Sequence, residues 1–152
     1  MAIETQARPI VPYANQGEIE ELVQAFQSLT LPLPRWSHQA HLTVGIWYLT
    51  RMPADAATPL IRDGIKRYNE SQGVPNSDTR GYHETITLFY VWSIGKYLGA
   101  VDAARPLLQL TNGLIVSDFG SKEHPFRYYS RERLLSVAAR HGWIEPDLAP
   151  LD

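Results

Sequence analysis

Apolar residues recur at helical spacing along most of the chain. Between Glu18 and Leu29 the positions Ile19, Leu22, Val23 and Phe26 fall on one stripe, which predicts an amphipathic helix. Pro32 and Pro34 end it and stiffen the connector that follows. The next segment, His38 to Arg51, is apolar on most sides, the pattern of a helix buried all round. Ser37 stands in front of it as an N-cap, since its hydroxyl accepts a bond from an unpaired backbone N–H of the first turn. A third helix is predicted from Pro53 to about Ser71, with Leu60, Ile61, Gly64, Ile65 and Tyr68 inward and Gly73 as its stop.

Residues 74–81, VPNSDTRG, are dense in turn formers. A fourth helix is predicted from about Arg80 to Leu98. Its Ile, Thr, Phe, Tyr and Trp content would suit a strand, but its length and the stop at Gly99 favour a buried helix. A short helix follows from Ala103 to Leu110, closed by Asn112-Gly113. Residues 114–127 read as irregular, and a last helix runs from a Ser130 cap to Arg140, stopped by Gly142. Residues 1–16 form an extended arm and residues 143–152 a proline-containing surface tail. With no repeat and no linker, residues 1–152 are expected to form a single all-α domain, a compact bundle of five to six helices.

The length of 152 residues fits one domain. Fourteen Lys and Arg against 16 Asp and Glu give a net charge of −2, which argues against a nucleic-acid partner held through phosphates. No apolar run approaches the roughly 20 residues of a membrane span, and the start of the chain lacks a basic then apolar leader, so no membrane and a cytoplasmic location are expected. The absence of cysteine matters most. It excludes disulfides, thiolate metal sites, iron–sulfur clusters and cysteine nucleophiles together, leaving His, Asp, Glu, Tyr and water to hold any metal. No P-loop, G-x-S-x-G or H-E-x-x-H motif is present.

Five histidines therefore carry the candidate chemistry. His38 and His41 stand three apart on one predicted helix, so both project from the same face. Gly45 and Tyr48 continue that stripe. His83 opens the fourth helix and completes a set of three if the two helices pack side by side. Three neutral imidazoles suit one divalent transition metal ion, zinc or iron first and copper or nickel next, with positions left for water or substrate. Glu84 and Tyr48 are the candidate catalytic groups. Glu84 would serve as a histidine partner or a base on metal-bound water, or else pair with Arg80. Tyr82, Thr87, Tyr90 and Arg133 would line the substrate pocket, Arg133 as a binder of anionic groups. Asp118 and His124 lie on a stretch read as a surface loop; the alternative is a loop that closes over the site, where either residue would add a ligand. His141 stands at a helix end, where an imidazolium meets the negative pole of the helix dipole.

The strings Trp36-Ser37-His38-Gln39-Ala40-His41-Leu42 and Gly81-Tyr82-His83-Glu84-Thr85-Ile86-Thr87 resemble the two signature stretches of a largely uncharacterised family of small helical bacterial proteins. The tail Gly142-Trp143-Ile144-Glu145-Pro146-Asp147-Leu148 extends that resemblance over most of the chain. Ala40 departs from it, since an acidic residue often stands there in that family, which argues against a required acid at that position. The resemblance implies that His38, His41 and His83 belong together and supplies no reaction. Two functions follow as expectations. One is a metal-dependent enzyme acting on a small molecule, a hydrolase or lyase or a non-haem oxidoreductase. The other is a non-enzymatic small-molecule-binding or interaction domain with a metal-free His/Glu/Tyr network, able to pair as a homodimer.

Overall fold

A computed structural model describes residues 10–152. Seven α-helices and three 3-10 turns form an all-α bundle, with no strand among the described residues. The helices are α1 (Gln16–Gln27), α2 (His38–Leu49), α3 (Ala54–Ser71), α4 (Glu84–Ala100), α5 (Leu107–Val116), α6 (Arg131–Leu134) and α7 (Val137–His141). The predicted arm lies mostly outside the described residues. Its described end is capped by Asn15, whose side chain accepts from the Glu18 N–H.

The two helices apolar all round form the centre. Helix α2 buries Leu42, Thr43, Val44, Gly45 and Ile46 in succession, because α1, α3, α4 and α5 surround it. Gly45 permits the close approach of α4: a Cβ there would come 2.7 Å from Cδ1 of Ile94. Ile19, Phe26, Ile61 and Tyr68 pack against one side of α2. Leu42 and Ile46 join Ile94, Leu110 and Leu114 on the other. A third cluster, Phe89, Tyr129 and Leu134, fastens α6 and the preceding loop to α4.

Four expectations need correction. The fourth helix starts at Glu84 rather than Arg80, because His83 is its cap and Gly81, at φ +82°, turns the chain just before. The fifth runs on to Val116 through Asn112-Gly113. There Asn112 is engaged side chain to backbone with Tyr13 in both directions, so it forms no turn. The stretch 114–127 is not irregular throughout, since its start is helical and turns Asp118–Gly120 and His124–Arg127 follow. The last predicted helix is two, making seven, because Ser136 breaks it and caps α7 by accepting from Ala139 N–H. The tail does lie on its own domain, with the Leu148 N–H on Tyr128 O and the Trp92 indole N–H on Asp152 O.

Candidate functional site

The three expected metal-ligating histidines point to separate tasks. His83 caps α4: its Nδ1 accepts from the Ile86 N–H at 3.1 Å. Its Nε2 lies 2.8 Å from Leu134 O and, facing a carbonyl, must carry the proton that it donates. Both ring nitrogens are then spent. Burial holds its pKa down at about 4, against the raising effect of the Leu134 bond. A proton on Nδ1 would also abolish the cap.

His38 donates Nε2–H to Gly120 O at 2.7 Å and meets Tyr90 edge-on, with ring centroids 5.2 Å apart. Tyr90 in turn donates its hydroxyl to Ser121 O, and Ser93 donates to Phe119 O. Three successive carbonyls, 119 to 121, are therefore held by side chains from α2 and α4. Burial lowers the His38 pKa, the Gly120 bond opposes this, and the Lys122 charge lowers it further. His41 donates Nδ1–H back to Ser37 O at 2.8 Å and stacks on Trp36, centroids 3.8 Å apart. Dehydration among these packed neighbours lowers its pKa, the Ser37 bond opposes it, and the nearby His38 adds to the lowering; the residue still keeps an exposed edge. His38 Nδ1 and His41 Nε2 have no hydrogen-bond partner among the described residues. No group of three or more His, Asp or Glu side chains among those residues is arranged to hold a metal ion. The expected three-histidine centre is not assembled, because capping consumes His83.

Glu84 bonds with none of His38, His41, His83 and Arg80. Arg62 of α3 binds it through two parallel bonds, Nε to Oε1 at 2.9 Å and Nη2 to Oε2 at 2.8 Å. The Tyr82 hydroxyl donates to Oε1 at 2.5 Å. Burial alone would raise the Glu84 pKa, but the bonds from Arg62 and Tyr82 outweigh it and hold the carboxyl below its ordinary value. Burial and the Glu84 bond push the Tyr82 phenol well up. Glu84 is thus a carboxylate held in place by Arg62 and Tyr82.

These groups wall a cleft of about 290 Å³ between α3, α4 and α7, together with Lys66, Arg140 and His141. Lys66 sits 5.1 Å from the Tyr82 ring centroid. His141 Nε2 meets Asp78 Oδ1 at 2.7 Å across the rim. Nothing in the sequence around Arg62, Lys66 and Arg140 brings the three together. Their only signal was the spacing of Arg62 and Lys66, one helical turn apart on α3.

Among the other expected site residues, Thr87 reaches the cleft wall, its side chain beside the Tyr82 phenol, and the rest lie elsewhere. Tyr48 accepts from Gln27 Nε2 and lines a separate cleft with Phe26 and Gly64. Thr87 donates its hydroxyl to His83 O within α4. Arg133 donates Nε–H to Glu145 O and fastens the tail. Asp118 is exposed and 3.7 Å from Arg127. His124, read as a surface-loop residue, is 5% exposed and bonds through Nδ1 with Ser93 Oγ at 2.9 Å. No described helix is long and apolar enough to cross a membrane.

Comparison with protein-family models, curated proteins and solved structures returned no match.

Proposed function

We propose that this protein is a small-molecule-binding domain whose ligand occupies the cleft between α3, α4 and α7. The observation behind this reading is the preassembled group of Arg62, Glu84 and Tyr82 on the cleft wall. Its polar atoms are fixed by one another, Arg62 and Glu84 on helices and Tyr82 on the turn just before α4, so a ligand need not order them on binding. The cleft volume is near the lower end for small-molecule sites, which suits a compact, polar ligand. The buried histidines act as caps and loop anchors in this reading. The test is amide chemical-shift mapping of the intact chain against a set of small polar molecules of varied charge. Binders should perturb Tyr82, Glu84 and their neighbours, and Glu84→Gln should weaken them. Binders gathered instead at the Tyr48 cleft would overturn the assignment.

A second reading, a metal-dependent enzyme acting on a small molecule, draws support from one feature. His38 and His41 each donate one N–H to a backbone carbonyl and leave the other nitrogen unclaimed, the tautomer arrangement common among metal-ligating histidines. Their lowered pKa values suit lone-pair donors better than proton shuttles at neutral pH. One equivalent of zinc, iron, copper or nickel in untagged protein, lost in His41→Ala and retained in His83→Asn, would favour this reading. Metal-free protein whose melting temperature ignores all four ions would remove it.

A further inference from the structure

The wall of the α3–α4–α7 cleft carries three cations, Arg62, Lys66 and Arg140, against two carboxylates, Glu70 and Glu84. Glu84 is already paired with Arg62, and the neighbouring Asp78 carboxylate is hydrogen-bonded to His141 Nε2. Glu70, also on the wall, accepts from Asn76 Nδ2 at 3.4 Å. Neither Lys66 nor Arg140 has a carboxylate within ion-pair distance among the described residues.

Arg140 is the more informative of the two. It is half-buried, and only Nη1 is engaged, donating to Gly81 O at 3.1 Å and Tyr82 O at 3.4 Å. Those two bonds anchor the guanidinium plane. Nε and Nη2, the edge that grips an oxyanion through two parallel bonds, have no partner among the described residues. Burial disfavours the charged form of Arg140, as it does for any dehydrated cation lacking a counter-charge. The backbone that anchors it is itself constrained. Gly81 adopts φ +82°, and a Cβ there would lie 2.6 Å from Asn76 Oδ1. Lys66 reaches the same cleft from α3 beside Tyr82.

Resting on the reading of this cleft as the ligand site, we infer that the ligand is a small oxyanion, carrying a carboxylate or phosphate that sits on the Nε–Nη2 edge of Arg140 and is matched by the Lys66 ammonium. Arg140 supplies direction and Lys66 a mobile point charge. Glu84 Oε2, on the same cleft wall, accepts from Arg62 alone, which leaves it a lone pair for a hydroxyl or amine near the ligand's anionic end. A cleft of about 290 Å³ suits a ligand of few heavy atoms.

The experiment titrates the full chain at fixed ionic strength with inorganic phosphate, succinate, glycerol and ethanolamine, following amide shifts. Saturable shifts at Ser77, Gly81, Tyr82, Arg140 and His141 with phosphate or succinate are expected, and the stronger of the two identifies the oxyanion. Lys66→Gln removes an exposed side chain and should weaken binding about tenfold, as loss of one charged hydrogen bond does. Arg140→Lys keeps the charge but not the fork, and should weaken it by a similar factor. Unchanged binding in both variants overturns the inference. So do shifts spread over all basic surface residues. Glycerol or ethanolamine binding in the cleft without either anion overturns the oxyanion assignment while keeping the cleft as ligand site. No saturable shift with any of the four overturns both.

Discussion

Arg62 and Glu84 face each other as a fork on a fork, with two bonds of 2.9 and 2.8 Å joining α3 to the first turn of α4. The side chains are 30% and 17% exposed, so the pair is neither a loose surface bridge nor a fully dehydrated one. Removing one partner strands the other's charge against Tyr82. Arg62→Ala and Glu84→Ala should each destabilise the fold by about 2 kcal/mol, and the double variant by clearly less than the sum, with a coupling of about 1–2 kcal/mol. Urea titration of the four proteins measures this. Additive losses would mean the pair contributes no more than a surface bridge.

The His83 cap makes the fold acid-sensitive in a definable window. Its pKa is about 4 when folded against 6.5 for an ordinary histidine. Between those values the unfolded chain binds more protons, so stability falls as pH drops from 6.5 towards 4, with the loss complete below that. For a residue 9% exposed, the whole shift corresponds to about 3 kcal/mol. His83→Asn keeps an oxygen to accept the Ile86 N–H but does not titrate. Its stability should fall less steeply over the same range, by up to one proton's worth of slope, whereas an identical pH profile would place the titrating group elsewhere.

Much of the bundle was legible because periodicity reports burial. The unbroken apolar faces of α2 and α4 predicted two central helices, and Ser37 and Ser130 were readable as caps since capping is local chemistry. Asn112-Gly113 misled because its turn signal was overridden by long-range bonds to Tyr13, invisible to a window of neighbours. The three histidines stay apart for a related reason. H-x-x-H spacing places two rings on one face but says nothing about which ring nitrogen a carbonyl 82 residues away will claim. The partner of Glu84 comes from α3, because Arg62 lies 22 residues upstream and the sequence offers no cue to that register.

Thr111 is a defect in the core. It is 0% exposed on α5, and its hydroxyl is a buried polar atom without a hydrogen-bond partner among the described residues. Valine has nearly the same shape and no polar atom to dehydrate. Thr111→Val should stabilise the protein by about 1 kcal/mol, raising its melting temperature by a few degrees. Thermal denaturation decides it, and a destabilised variant would indicate that the hydroxyl has a partner after all.

The carbonyls of Phe119, Gly120 and Ser121 give a way to separate anchoring from ligation at His38. If the ring acts as an anchor, its Nε2–H bond to Gly120 O fixes the loop whatever ions are in solution. His38→Ala should then cost about 1–2 kcal/mol and raise amide hydrogen exchange across residues 117–124, equally with and without a chelator. Tyr90→Phe, which removes the neighbouring bond to Ser121 O, should speed exchange in the same segment to a smaller degree. A ligand role predicts otherwise: the wild type would lose stability on chelation, and the loss in His38→Ala would largely vanish once chelator is present. Exchange protection measured in four samples, wild type and His38→Ala each with and without chelator, discriminates the two. Loop protection that depends on the chelator in wild type alone would refute the anchoring account.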